Sequence, residues 1–311
     1  LIIFMKFVLS PEIKEYKEKG LPILALESTI IAHGMPYPDN YTFAKNAEKI
    51  CRKNKVAPAT IAILNGKIHV GLTDKELKKI CESKNILKTS KREIPIFTAK
   101  NLNGATTVSA TAWIAYRCGI SVFSTGGIGG VHREVEKTFD VSQDLKSLSE
   151  TPIILISAGA KAILDLPKTI EALEALGVLV VGYKTKTFPA FYNRSSNLKI
   201  EYSVKNEKEA ASLYFEQLDL GLRSSLLIVN PIPNKDQLSE KKINTAIKTA
   251  LSEAKKHNVY GKALTPFLLK KIMKKTTGES LKANIALALN NIKLGAKIAR
   301  EISKYDKLTS C

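Results

Sequence analysis

A lysine just past an apolar run is the residue of this chain best suited to covalent chemistry. In TPIILISAGAKAILD, residues 151–165, an apolar and β-branched stretch at 152–157 predicts a buried strand. Ala158-Gly159-Ala160 strips the backbone of bulk, and Lys161 follows. Asp165 can cap a helix with Pro167 in its first turn and Gly177 at its close. Lys161 then lies at the C-terminal edge of a strand, where open α/β sheets bind ligands. Its apolar neighbours disfavour an ammonium and favour the neutral amine, the form that attacks a carbonyl. The plain alternative is a lysine that snorkels to water from a helix start.

Other stretches could supply partners for such a lysine. Glu27 ends the apolar run PILALE, either as a strand-end charge reaching water or as a buried acid suited to proton transfer. The glycine-rich TGGIGGVHR, residues 125–133, follows a short strand. It is neither a dinucleotide fingerprint nor a P-loop, because His132 stands where a third glycine is needed and no Gly-Lys-Ser/Thr follows. Gly126, Gly127 and the residues to Gly130 could form an anion-gripping nest of N–H groups, or a tight turn that needs positive φ. His132-Arg133 directly after it suits a phosphate or polar ligand. Asp140, Ser142 and Asp144 alternate; they could cap a helix, with Gln143 three places after Asp140, or offer oxygen ligands to Mg²⁺ or Mn²⁺. Lys88, ahead of Lys91-Arg92, could meet phosphate or water. His33 could hold its Pro-rich loop or touch substrate, and Asn284 could cap, face solvent or bind a ligand.

These residues need a scaffold, and the chain predicts one in which strands alternate with helices from end to end. Strands are expected at 22–27, 59–64, 67–72, 120–124, 152–157, 178–183 and 225–230, with Asn65-Gly66 as a two-residue hairpin turn. Residues 28–39, with two prolines and a glycine, read as a rigid loop. Helices are expected at 11–19, 41–54, 73–83, within 104–118, and at 205–220 and 239–258. A Pro266-led helix capped by Thr265 and a long helix over 279–304 complete the set. In the last, Ile285, Leu289, Ile292, Ala296 and Ala299 keep a 4-3-4-3 spacing that faces a core. This pattern predicts a single three-layer α/β/α domain over residues 1–311, core about 20–304, around a mostly parallel, mixed central sheet.

Composition narrows the function classes. With 311 residues and 44% hydrophobic content the chain can bury one large core or two modest ones. No apolar run reaches the ~20 residues a membrane span needs. The start, LIIFMKFVLS, lacks a basic leading region and a cleavage site, so no signal peptide is expected, and the true start is either Met5 or upstream of the given residues. Four scattered cysteines, Cys51, Cys81, Cys118 and Cys311, form no CxxC pair, which points to reduced thiols in a cytoplasm. The net charge is +19, and residues 235–311 hold 17 Lys+Arg against 6 Asp+Glu. Only seven of the 48 basic residues are arginine and no aromatics interleave with them, so solvated helix faces are expected rather than a nucleic-acid surface.

Several of these stretches together resemble the pseudouridine-5′-phosphate glycosidase family. The residues that carry the resemblance are ALESTIIAHGMPYPDN (25–40), GATTVSAT (104–111), STGGIGGVHR (124–133), TFDVSQDL (138–145), SAGAKAILDLPKT (157–169), FPAFY (188–192), NPIP (230–233), TPFLL (265–269) and GESLKANIALALNN (278–291). The resemblance implies a homotrimeric, metal-dependent enzyme, with Mn²⁺ or another divalent cation such as Mg²⁺. It implies reversible cleavage of the C–C glycosidic bond of pseudouridine 5′-phosphate to uracil and ribose 5-phosphate. Matched residue by residue, it implies Glu27 as proton donor and Lys161 as nucleophile. Lys88, Val108, Ser142, Gln143 and Asp144 would contact substrate, Asp140 would hold the metal, and His132 and Asn284 would line the pocket. A related C-glycosidase or synthase acting on another phosphoglycoside is the alternative on the same scaffold. The chain departs from the family pattern at Gln143, usually alanine, at Glu134, usually glycine, and in the basic loop 184–187, usually acidic. Glu27, Lys88, Asp140 and Lys161 keep the pattern.

Overall fold

A computed structural model describes residues 7–309 of the chain. The candidate start at Met5 and Cys311 lie outside these residues. The strands are β1 (Phe7–Leu9), β2 (Ile23–Glu27), β3 (Ala57–Leu64), β4 (Lys67–Val70), β5 (Leu87–Thr89), β6 (Gly104–Thr106), β7 (Val122–Ser124), β8 (Ile154–Ser157), β9 (Leu179–Tyr183), β10 (Tyr202–Val204) and β11 (Leu226–Val229). The chain forms two compact units, one up to Ser124 and again from Ile292, the other Thr125–Asn291.

In the first unit β1, β4, β3, β2 and β7 lie side by side in that order. β2 runs parallel to β3 and β7, while β3 pairs antiparallel with β4 and β6, and β6 runs parallel to β5. β3 is buried at all eight positions, and that is why APATIAIL is nearly unbroken apolar sequence. Helices Pro11–Glu18 and Asp39–Lys53 pack on β3, and Val108–Arg117 packs on β2, β3 and β7. The predicted hairpin is present: Leu64 pairs with Lys67 across Asn65-Gly66, both at positive φ. Thr73 caps helix Asp74–Glu82 in a reciprocal pair with Glu76.

In the second unit β8, β11, β9 and β10 lie in that order, all parallel. ILIS of β8 and LLIV of β11 are wholly buried. Helix Leu166–Ala175 packs on β9, and Glu207–Asp219 on β10. The α/β class with a mostly parallel, mixed sheet is therefore as expected.

Local expectations are corrected in three places. The Pro-rich stretch after Glu27 is not all loop; it opens with helix Thr29–His33, because the first proline comes only at Pro36. The helix after the Asp140 segment is Gln143–Glu150, capped by Ser142 and not by Asp140. Thr265 does not cap its helix, since Leu264–Lys275 begins one residue earlier with Pro266 already in its first turn. The last helix, Glu279–Thr309, is a few residues longer than its apolar stripe.

Candidate active site

Glu27, Lys88 and Val108 fall in the first unit, and a network of buried hydroxyls ties their segments together. Glu27 is the buried last residue of β2. Ser28 beside it donates to the Ile61 carbonyl (2.6 Å) and accepts from the Thr106 N–H (2.9 Å). Thr106 Oγ1 donates to the same Ile61 carbonyl (2.7 Å) and accepts from Thr111 Oγ1 (2.9 Å). Lys88 sits at the centre of β5, paired with Ala105, whose carbonyl accepts from Thr29 Oγ1 (3.1 Å). Val108 is buried and opens helix Val108–Arg117 two residues after Thr106. Glu27 and Val108 are thus each within two positions of one network, and Lys88 pairs across the sheet with Ala105 beside it. Ser28, Thr106 and Thr111 were not singled out in the sequence; hydroxyls in apolar stretches look like ordinary core positions, and only the partners reveal their use.

In the second unit the loop after Thr125 is the hub. Lys161 follows the buried β8, as predicted, and is half-buried. Gly159, at φ +81°, makes the turn before it, and a Cβ there would come within 2.5 Å of the Pro189 carbonyl. Ala160 bridges Ile128, and the Lys161 N–H donates to the Ile128 carbonyl (3.1 Å), so the lysine backbone is strapped to the glycine loop. Asp165 caps helix Leu166–Ala175 by accepting from the Lys168 N–H.

Gly126 and Gly127 lie in this loop, but residues 126–130 form neither of the two arrangements the sequence left open, an anion nest or a tight turn at positive φ. None of the five has positive φ. The N–H groups of Ile128 and Gly129 donate to the Gly159 carbonyl (3.1 Å) and Asp144 Oδ2 (2.8 Å), and that of Val131 donates to Thr169 Oγ1 (3.0 Å). The glycines are small for a different reason, close approach. A Cβ on Gly127 would sit 2.5 Å from the Phe191 ring, and one on Gly130 would sit 2.5 Å from Thr169 Oγ1. One on Gly129 would overlap Ser142 Oγ and lie 2.8 Å from Asp144 Oδ2. FPAFY therefore belongs to the site's wall, with Phe191 against Gly127 and Phe188 against Gly159.

The Asp140 segment folds back onto the same loop. Val131 bridges Val141, the His132 N–H donates to the Asp140 carbonyl (3.0 Å), and the Ser142 N–H to that of Gly130 (2.9 Å). Ser142 accepts from the Asp144 N–H (3.2 Å), and Gln143 is the first residue of its helix. Asp144 is buried with its carboxylate on Gly129, so it shapes the loop whatever else it touches. The Asp140 carboxylate is one-third exposed and lies 3.9 Å from His132 Nδ1. Among the described residues no group of three or more His, Cys, Asp or Glu side chains is placed to hold an ion. A single carboxylate fits a hard cation that keeps most of its water, and does not fit a dehydrated metal cage.

Asn284 is buried near the start of the last helix, and its Oδ1 has no hydrogen-bond partner among the described residues. Two turns later Asn291 donates to the carbonyls of Thr125 (2.8 Å) and Gly126 (3.3 Å) and accepts from Asn230 Nδ2 (3.0 Å). Asn291 and Asn230 went unremarked in the sequence. The available signal was the seven-residue spacing of Asn284 and Asn291, which puts both on one face of the helix.

Comparison with known proteins places this geometry. Residues 12–301 match the family described as indigoidine synthase A like protein. A pseudouridine-5′-phosphate glycosidase of Caldanaerobacter subterraneus subsp. tengcongensis is 54% identical over 299 residues, covering 96% of this chain and 97% of that relative. The crystal structure of an indigoidine synthase A-like protein from Thermotoga maritima superposes with a TM-score of 0.88 at 36% identity, covering 96% of this chain and 97% of that one. That of the prealnumycin C-glycosynthase AlnA, in complex with ribulose 5-phosphate, does so with a TM-score of 0.89 at 34% identity, covering 97% and 98%. Matched over nearly all of its length in sequence and in fold, the chain belongs to the indigoidine synthase A-like family.

Proposed function

We propose that the chain is a pseudouridine-5′-phosphate glycosidase that cleaves its substrate to uracil and ribose 5-phosphate, and can join them again. What carries this is Lys161, at the end of a buried parallel strand with its backbone strapped to a close-packed glycine loop, in a chain 54% identical to an enzyme of that name. In a C-glycoside the base leaves from carbon, so protonating a leaving oxygen or nitrogen does not help. Once Lys161 Nζ is bonded to C1′ of the opened sugar, its lone pair forms the C1′=N bond as the carbon–carbon pair leaves with the uracil, which takes a proton at that carbon. Water then hydrolyses the imine to ribose 5-phosphate and the free lysine. Glu27, buried at its strand end, passes a proton to the ring oxygen as the sugar opens and serves the carbon of the departing uracil. Lys88, Val108, His132, Ser142, Gln143, Asp144 and Asn284 position the substrate, with Gly126 and Gly127 lining its loop. Asp140 would hold Mn²⁺ or Mg²⁺, a cation whose chemistry there would be to offset phosphate charge.

A second reading, synthesis or cleavage of another C-glycoside of a phosphosugar, is favoured by the likeness to the C-glycosynthase. It has the lower identity of the two, 34% against 54%. Assembly as a homotrimer and residence in the cytoplasm belong to the same proposal. The described cysteines support the latter: Cys51, Cys81 and Cys118 are buried and unpaired. No helix among the described residues is long and apolar enough to cross a membrane.

The deciding assay is uracil release from pseudouridine 5′-phosphate with and without Mn²⁺, coupled to borohydride reduction during turnover. Metal-dependent release, with a ribose 5-phosphate adduct reduced onto Lys161, is expected. Release without an adduct would leave the reaction and remove the imine; no release would remove both.

A further inference from the structure

One buried nitrogen in the first unit has no assigned use. His33 closes helix Thr29–His33, which starts two residues after Glu27 and packs on β5, the strand of Lys88. Its Nε2 is buried without a hydrogen-bond partner among the described residues. Its other ring nitrogen is engaged with the backbone of Ile86. Burial first, and then the nearby Lys88 charge, hold the ring below the usual histidine range and so neutral near pH 7. A neutral ring that donates through one nitrogen is a pure acceptor at the other. A buried acceptor with no protein partner is favourably completed by a donor on a ligand.

Resting on the glycosidase reading above, we propose that His33 is a base-recognition residue whose Nε2 accepts a hydrogen bond from a ring N–H of uracil. The neighbouring Lys88 supplies the complementary donor. A phosphate dianion has no proton to give, so it cannot be the partner. A uracil edge presents a carbonyl acceptor next to a ring N–H donor. An ammonium beside an acceptor nitrogen matches that pair and mismatches a base bearing two adjacent donors.

The test uses the full-length, Mn²⁺-loaded enzyme in the condensing direction, with uracil, 1-methyluracil and 3-methyluracil against ribose 5-phosphate. His33→Ala should raise KM for uracil by roughly 10–100-fold, the loss of one buried hydrogen bond, and leave KM for ribose 5-phosphate nearly unchanged. The wild-type enzyme should reject one of the two methylated bases. His33→Ala should lose that discrimination, and His33→Gln, which offers an amide oxygen, should recover part of it. Parallel rises in both KM values would mark a residue that only shapes its loop and would overturn the assignment. So would an unchanged uracil KM, or methyl discrimination that survives in His33→Ala. Wild-type enzyme that neither releases nor condenses uracil would overturn instead the reading on which the assignment rests.

Discussion

The strand ends that carry Glu27 and Lys161 are built by opposite means. Around Glu27 the support comes from side chains: Ser28 and Thr106 converge on the Ile61 carbonyl, and Thr111 donates to Thr106 Oγ1. Around Lys161 the support is backbone to backbone, through the Ile128–Ala160 bridge and the Lys161 N–H, with glycines giving the approach. The difference follows from the sheet. In the first unit β3 is also paired antiparallel with β6, and hydroxyls satisfy the crowded polar groups where those strands meet. In the second unit all strands run parallel, and their loops leave from one edge and can pair directly. A hydroxyl-built edge should be sensitive to lost hydrogen bonds, and a backbone-built edge to added bulk.

The largest expected effects separate the reactive groups of the two edges. Lys161→Arg should abolish turnover and the borohydride adduct, because a guanidinium stays protonated and cannot attack. Glu27→Gln should lower kcat by about 10²–10⁴-fold and leave binding largely intact. Steady-state kinetics with adduct mass spectrometry checks both, and an active Lys161→Arg enzyme removes the covalent role.

Next comes bulk at the backbone-built edge. Gly129→Ala should destabilise by about 1–3 kcal/mol, since its Cβ meets Ser142 and Asp144. Adding Ser142→Gly, which removes the opposing Cβ, should restore part of the loss in thermal unfolding. Full additivity of the two substitutions would contradict the close-approach account.

The matching test at the hydroxyl-built edge is Thr106→Val, which keeps shape and removes the shared Oγ1. A loss of about 1–2 kcal/mol is expected in denaturant unfolding, because Thr111 and Ile61 each lose a partner. If Thr106→Val proved silent while Gly129→Ala was costly, the contrast between the edges would sharpen into one between strain and redundancy.

The smallest effect concerns Glu134, which sits at φ +59°, a left-handed conformation that glycine adopts at less cost. Its ion pairs with Lys137 and Lys255 are exposed and worth little. Glu134→Gly should raise stability by about 1 kcal/mol, read as a small rise in Tm, by relieving the left-handed backbone. A fall would mean that the ion pairs outweigh the strain.

Much of this was legible from local pattern. The buried strand before Lys161, its Ala-Gly-Ala turn, the Asp165 cap and the Asn65-Gly66 hairpin depend on near neighbours, which the sequence states directly. The family, too, was carried by contiguous motifs. What a glycine is for was not legible: positive φ and close approach leave the same letter, and only the positions of Phe191, Ser142 and Thr169 distinguish them at residues 126–130. The same holds for Asn291, Thr106 and the orphan Nε2 of His33. A hydrogen bond depends on distance and direction between atoms that may be 165 residues apart. Sequence spacing encodes which face of a helix or strand a residue takes, whereas tertiary packing alone decides which donor meets which acceptor.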